Sequence, residues 1–136
     1  MTSTVYDLLP KTANDTVKLG PEISVFHNLV KLDLRDNFIS GSIPSEMSKL
    51  RLLRYLNLYG NEMTSTIPPA LFEIGGLEVL SLGRNDISGT ISSLIGLLGR
   101  LNSLHMGYNT LLSGTLPELD NLVMLGKNET TKATCV

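Results

Sequence analysis

The residues best suited to catalysis in this sequence are two carboxylates beside two basic side chains. Asp33 and Asp36 flank Arg35, and Lys31 precedes them. Paired carboxylates perform general acid–base catalysis when the environment raises the pKa of one of them. Here the neighbouring cations favour the ionised form of both carboxylates, so we interpret this group as a solvated face of mixed charge.

Histidine, cysteine and glycine form no recognisable catalytic or metal-binding pattern. His105 has no Ser, Cys or second His at a spacing that indicates a catalytic triad or a metal site, and His27 lies far from it along the chain. The single cysteine, Cys135, can form no internal disulfide. Gly75-Gly76 is typical of a turn rather than of a phosphate-binding loop. We therefore expect no enzyme activity, no cofactor and no metal ion.

The composition argues against two classes of partner. The chain has 136 residues, which fits one domain, and a formal net charge of −2 without any block of like charge. Binding of nucleic acid through a basic face and attachment to an anionic membrane are both disfavoured. No apolar run reaches the length of about 18 residues that spans a bilayer. Met1 to Gly20 lacks the apolar core of a secretory signal.

A 24-residue period runs through most of the chain. Four asparagines recur at this spacing, and each follows the same pattern of aliphatic residues. The asparagines are Asn37, Asn61, Asn85 and Asn109. The aliphatic residues are Leu29, Leu32 and Leu34; Leu53, Leu56 and Leu58; Leu77, Leu80 and Leu82; and Leu101, Leu104 and Met106. The second half of each unit also repeats, as in Ile39-Ser-Gly-Ser-Ile-Pro44.

This spacing predicts one short strand in each unit. Leucines that alternate with polar residues indicate a strand with one buried face. We expect strands near residues 31–35, 55–59, 79–83 and 103–107, and short helical turns near 46–50, 70–74 and 94–98. The asparagine ends each strand, and its amide can satisfy backbone groups left open at the turn. One unit cannot bury its aliphatic row alone, so the units must stack into a parallel sheet.

The unit Leu-x-x-Leu-x-Leu-x-x-Asn-x-x-Ser-Gly-x-Ile-Pro resembles the plant-type leucine-rich repeat. This repeat is found in receptor-like kinase ectodomains, receptor-like proteins and polygalacturonase inhibitors. The resemblance covers about Leu19 to Leu125. It implies an α/β repeat solenoid, a right-handed superhelix with a parallel concave β-sheet and an irregular or 3-10 convex side. Ser65 replaces the family's glycine, Ser92 replaces its proline, and the cysteine-pair caps usual in secreted members are missing.

The resemblance also divides the chain into three parts. Residues 1–28 are expected to form a degenerate leading repeat or cap, 29–125 four repeats, and 126–136 a polar tail. The half repeat Leu19 to Phe26 can cover the first leucines, whereas the tail can cover Leu104 and Met106 only poorly. An uncovered apolar end predicts end-to-end association through the C-terminal repeat, with further repeats, a second copy or a partner chain.

In this family, side chains that alternate with the buried leucines face outward on the concave sheet. The positions are Lys31, Asp33, Arg35 and Asp36; Tyr55, Asn57, Tyr59 and Gly60; Val79, Ser81, Gly83 and Arg84; and Ser103, His105, Gly107 and Tyr108. The candidate partner-binding residues are Lys31, Asp33, Arg35, Tyr55, Asn57, Tyr59, Ser81, Arg84, His105 and Tyr108. Tyrosine is favoured at recognition surfaces, but it also suits strands, so the three tyrosines fit both a ligand patch and a plain exposed sheet.

The resemblance implies a non-catalytic module that binds a protein or peptide on its concave face. Two alternatives stay open: an inhibitor of a wall-degrading glycosidase, and a structural subunit that stacks through uncapped ends. Asn14-Asp-Thr16 and Asn128-Glu-Thr130 are candidate glycosylation sites outside the regular repeats. With the resemblance, they favour an extracellular or membrane-attached location.

Overall fold

The computed structural model describes residues 17–114 and, in addition, the backbone of Thr4–Val5. Its strands, in chain order, are β1 (Thr4–Val5), β2 (Val17–Lys18), β3 (Lys31–Asp33), β4 (Ile39–Gly41), β5 (Tyr55–Asn57), β6 (Glu62–Met63), β7 (Val79–Ser81), β8 (Ser88–Thr90), β9 (Ser103–His105) and β10 (Leu111–Ser113). The 3-10 helices are η1 (Pro21–Val25), η2 (Ser45–Lys49), η3 (Pro69–Glu73) and η4 (Ser93–Leu97). The candidate glycosylation sites Asn14 and Asn128, Cys135 and the tail 126–136 lie outside the described residues.

The main sheet contains one strand from each repeat. Its order is β1-β3-β5-β7-β9, and all neighbouring strands are parallel. Leu32 pairs with Leu56, Leu56 with Leu80, and Leu80 with Leu104, so the register follows the 24-residue period. The predicted strands are confirmed, and each ends two residues earlier than expected. Backbone hydrogen bonds nevertheless continue past the strand ends, as from Leu34 N–H to the Asn57 carbonyl at 2.8 Å.

The predicted helical turns are also confirmed, each beginning one residue earlier than expected. Pro44 and Pro68 precede η2 and η3, where a fixed φ and a missing N–H cost nothing. Ser92 takes the place of this proline before η4. Its hydroxyl accepts a hydrogen bond from the Leu94 N–H at 3.2 Å, so the serine caps the turn instead.

The segments that follow the strands of the main sheet form additional β-structure that the sequence does not predict. β2, β4 and β6 form a second parallel sheet, and β8 pairs with β10 in another. An isolated bridge from Thr66 to Ser88 continues the pairing between these two groups. These strands have two or three residues and include Ser-Gly steps, so their sequences give little sign of extended structure.

The core lies between the main sheet and the helical turns. Leu56, Leu58, Leu80 and Leu82 are completely buried on one face, as the alternation predicts. Leu19 and Ile23 pack against this core and help to cover the first repeat. Phe26 is an exception among the residues at its position in the repeat. Its side chain is 46% exposed, whereas the equivalent Leu50 is fully buried. Pro21–Val25 contains no buried residue, although Leu29, Leu32 and Leu34 of the following repeat are buried.

Ser65 occupies a backbone conformation that favours glycine. Its φ is 68°, and the equivalent positions Gly41, Gly89 and Gly114 have φ of 81°, 85° and 99°. A side chain in this left-handed region costs about 1–2 kcal/mol, partly offset by the greater chain entropy that glycine loses on folding. We expect Ser65→Gly to raise the free energy of unfolding by about 0.5–1 kcal/mol in urea denaturation.

The matched control is Ser42→Gly, because Ser42 has an ordinary negative φ. That substitution should lower the free energy of unfolding by about 0.5 kcal/mol. If both substitutions changed stability in the same direction, the strain assigned to Ser65 would be incorrect.

Candidate binding face

The turn after each main strand is held by its asparagine. The Asn61 Nδ2 group donates to the carbonyl oxygens of Leu34 and Leu58, each at 2.9 Å. The Asn61 Oδ1 atom accepts from the Ile39 N–H at 3.1 Å. Asn61 is buried and bonded to backbone, as its place between two complete repeats predicts. Two of these three partners, Leu34 and Ile39, belong to the preceding repeat, which the sequence does not reveal.

Asn85 and Asn109 repeat this geometry. Each donates to a carbonyl 27 residues earlier and accepts from an N–H 22 residues earlier. Asn37 is half-buried and donates to the carbonyls of Leu34 and Arg35 at 3.0 and 2.9 Å. The asparagines therefore fix the position of each strand end relative to its neighbours, and with it the side chains of the concave face.

On the first two described repeats of the concave face, side chains hold one another in place. The Lys31 Nζ atom lies 4.6 Å from the centre of the Tyr55 ring. The Arg35 guanidinium donates to Asp33 Oδ2 at 2.8 Å. Asn57 donates to the Tyr55 hydroxyl at 3.2 Å, and its Oδ1 accepts from the backbone N–H of Tyr59 at 3.1 Å. This part of the face holds two sets of interacting side chains, the Lys31–Tyr55–Asn57 set and the Arg35–Asp33 pair.

Three candidate residues are less accessible than the alternation suggests. Asp33, Asn57 and Ser81 were expected to be open positions, but all three are buried. They are the last residues of their strands, while the leucines next to them face the core. On the concave side they form the middle row, between the rows that contain Lys31 and Arg35. Strands about 4.8 Å apart bring larger neighbouring side chains over the middle row. Sequence alternation predicts the face of a residue, but not how far its neighbours cover it.

The other candidate residues lie in two zones. Lys31, Tyr55 and Tyr59 are half-buried on the sheet, and Arg35 and His105 are exposed there. Arg84 and Tyr108 lie on a rim just beyond the strands, both exposed and both in left-handed backbone with φ of 53° and 62°. Arg84 also lines a depression of about 300 Å³, together with Asp36, Phe38, Gly60 and Glu62.

The concave face changes character in its last two described repeats. Gly83 and Gly107 occupy the position that Arg35 and Tyr59 hold earlier in the array. A Cβ atom added at Gly83 would lie 3.1 Å from Tyr59 Cδ2 and 2.9 Å from the Gly107 carbonyl oxygen. A Cβ added at Gly107 would meet nothing within 4 Å. The Tyr59 ring thus lies against Gly83, and the space beside it is open.

The candidate face presents charged, aromatic and hydrogen-bonding side chains. In residues 17–114, no group of three or more His, Cys, Asp or Glu side chains is placed to hold a metal ion. Ser103 Oγ and His105 Nδ1 are 3.4 Å apart on the exposed sheet. No helix in the described part of the chain is long and apolar enough to cross a membrane.

Comparison with solved structures gives close matches to plant receptor ectodomains. The plant peptide hormone receptor RGFR1, solved in complex with RGF2, is 37% identical with a TM-score of 0.75, over 80% of this chain and 18% of that one. The BIR2 ectodomain from Arabidopsis thaliana is 36% identical with a TM-score of 0.71, over 75% and 53%. Pollen Receptor Kinase 3 is 28% identical with a TM-score of 0.74, over 90% and 58%. The chain thus spans less than two thirds of each of these proteins.

No curated protein sequence matches the chain significantly. The Leucine Rich Repeat family profile matches residues 28–50, 52–74 and 76–98, which together make up just over half of the chain. The repeat pattern, the parallel sheet with its 3-10 turns, and the receptor ectodomain matches agree with this result. The chain belongs to the leucine-rich repeat family, and its repeats are of the plant type.

Proposed function

We propose that the chain is a non-catalytic recognition module that binds a protein or peptide on its concave face. Two similar structures were solved as complexes, and their bound partners support a peptide ligand. RGFR1 was solved with RGF2, and the Arabidopsis receptor kinase HAESA was solved with the peptide hormone IDA and the co-receptor SERK1. The proposal rests mainly on the ordered side chains of the open sheet. These are Lys31, Tyr55 and Asn57, which contact one another, and the Arg35–Asp33 pair.

Side chains that are already held in place lower the entropic cost of binding. Long side chains such as lysine and arginine lose rotamer entropy when a ligand immobilises them, about 0.5–1.5 kcal/mol each. Here Lys31 already lies over the Tyr55 ring, and Arg35 is already paired with Asp33. A ligand therefore meets a face whose rigid aromatic and charged groups are largely ordered before contact.

The proposal can be tested with a phage-displayed library of short linear peptides, selected on the wild-type chain. We expect Lys31→Glu and Tyr59→Ala each to weaken the selected peptides about tenfold or more, because both residues lie on the proposed contact surface. Affinities would be measured by biolayer interferometry, and circular dichroism would verify that the variants fold.

Lys49→Glu is the matched control, because Lys49 is an exposed lysine on η2 rather than on the sheet. It should leave the peptide affinities unchanged. Equal losses for Lys31→Glu and Lys49→Glu would contradict the assignment to the concave face.

A glycosidase inhibitor is not favoured by the charges on this face. A concave cluster of one sign would support that function, whereas Lys31, Asp33 and Arg35 form a mixed group in which Arg35 pairs with Asp33. Peptide or protein recognition therefore stays the leading proposal.

We also propose that the chain associates end to end through its C-terminal described repeat. Tyr108 and Leu111 are 72% and 64% exposed, and Leu104 is only partly buried although Leu56 and Leu80 are fully buried at the same register position. Met106 of the same repeat is buried, so the exposed apolar surface covers only part of this repeat. We infer that these exposed apolar side chains form the contact between chains, since exposed apolar surface can mark an interaction site.

Light scattering over a concentration series tests this association. We expect the mass of the wild-type chain to rise with concentration and that of Leu111→Glu to stay at one chain. A wild-type mass that stays at one chain throughout would contradict the proposal.

A further inference from the structure

Ser81 differs from its neighbours in the middle row of the concave face. The row runs Asp33, Asn57, Ser81, His105 across adjacent strands. Asp33 is paired with Arg35, and the Asn57 amide is bonded to Tyr55 and Tyr59. The Ser81 hydroxyl makes no hydrogen bond with any described residue, although Ser81 is only 7% exposed. It is a polar group held at the surface without a partner.

The Ser81 hydroxyl opens onto the concave face. Leu80 and Leu82, on either side of it, are fully buried in the core, so alternation directs Ser81 to the opposite side. No side-chain polar atom in the described residues is both fully buried and without a partner. The Ser81 hydroxyl oxygen therefore stays in contact with solvent.

Beside Ser81 the face lacks side chains at two neighbouring positions, Gly83 and Gly107. We call Tyr59, Ser81, Gly83 and Gly107 together the glycine recess. The Tyr59 ring lies against Gly83 and bounds the recess on one side. Gly107 leaves open space on the other side, since a Cβ there would meet nothing within 4 Å. Glycine lets another molecule approach the backbone closely at such a position.

The recess itself is neutral. Its four residues carry no charge, and the Arg35–Asp33 pair lies on β3 and the residues after it, two strands from β7. A bound ligand that covered the recess would remove the remaining water from the Ser81 hydroxyl. Unless the ligand supplied a hydrogen bond, the hydroxyl would be left buried without a partner, at a cost to affinity. Sites of this kind discriminate strongly against ligands that lack the matching polar group.

We infer that the glycine recess takes one short, uncharged, hydrogen-bonding side chain of a bound peptide, that of Ser, Thr or Asn, with Ser81 as its hydrogen-bond partner. This inference rests on the proposed function, because it specifies what the concave face selects. Tyr59 forms the wall of the recess, and Gly107 provides room for the peptide backbone to approach.

The experiment is a double-mutant cycle on peptides selected from the phage-displayed library. Each peptide would be scanned with alanine against the wild-type chain and against Ser81→Ala. We expect one Ser, Thr or Asn position at which alanine weakens binding about tenfold to the wild type and has little further effect in Ser81→Ala. Because Ser81 bonds to no other side chain, its replacement by alanine should leave the fold intact.

A second pair of variants tests the space itself. Gly107→Trp should abolish binding by filling the recess, whereas Gly99→Trp should not, since Gly99 also has open space but follows η4. If peptides lose affinity in Lys31→Glu and Tyr59→Ala but show no coupling to Ser81 and tolerate Gly107→Trp, this inference is overturned and the proposed function stands. If selection yields no peptide that binds the wild-type chain, both are overturned.

Discussion

Replacing Asn61 with leucine should lower the free energy of unfolding by about 3 kcal/mol, although the two side chains have similar size. The substitution removes the hydrogen bonds of Asn61 to the Leu34 and Leu58 carbonyls and to the Ile39 N–H. These backbone groups are enclosed between stacked repeats, where each group left without a partner costs about 1–3 kcal/mol. Urea denaturation of the purified chain measures the loss.

The control for this experiment is Asn102→Leu. Asn102 is exposed, and its side chain makes no hydrogen bond in the described residues. Its replacement should change stability by no more than about 0.5 kcal/mol. An Asn61→Leu variant as stable as the wild type would show that the asparagine column does not hold the turns together.

Leu80→Ala is the second substitution for which we expect a large effect, a loss of about 2–5 kcal/mol. Leu80 is fully buried in β7 and has Leu56 and Leu104 as register neighbours on both sides. Removing its side chain leaves a cavity that the flanking strands, fixed by their hydrogen bonds, cannot readily close. The loss would be read from the same denaturation experiment.

Leu97→Ala serves as the comparison, because Leu97 is 60% exposed on η4. Its stability should lie within about 0.5 kcal/mol of the wild type. Similar losses for the two leucine variants would show that burial in the stack does not determine the contribution of these residues.

The repeat pattern predicts the main architecture closely because the same spacing of leucines and asparagine recurs in every unit. A single Leu-x-Leu alternation is ambiguous, but its recurrence before Asn37, Asn61, Asn85 and Asn109 fixes strand, turn and stacking together. The second sheet could not be predicted in this way. Its strands depend on backbone pairing between adjacent coils, and their sequences of two or three residues are too short to carry an alternating pattern.

The candidate site could be predicted only in part, because a sequence period places residues but does not show what covers them. Lys31, Tyr55 and Tyr59 are accessible on the sheet as expected, whereas Asp33, Asn57 and Ser81 are covered by their neighbours. The free hydroxyl of Ser81 depends on which polar atoms nearby are already bonded. Whether a hydroxyl is left without a bond therefore depends on how the side chains of the face pack, and no sequence motif reveals it.

The asparagine bonds give the array a polarity that its repeated sequence does not show. Each coil is completed by the asparagine of the coil that follows it, since Asn85 bonds to Leu58 and Met63, and Asn109 bonds to Leu82 and Ile87. Unfolding of the coil that contains Asn109 therefore removes the bonding partners of Leu82 and Ile87, and unfolding of the coil that contains Asn85 removes those of Leu58 and Met63. A coil that is transferred to another repeat protein must therefore be accompanied by the asparagine of the coil that follows it. The unit to transfer thus extends beyond the 24-residue repeat that a sequence alignment defines.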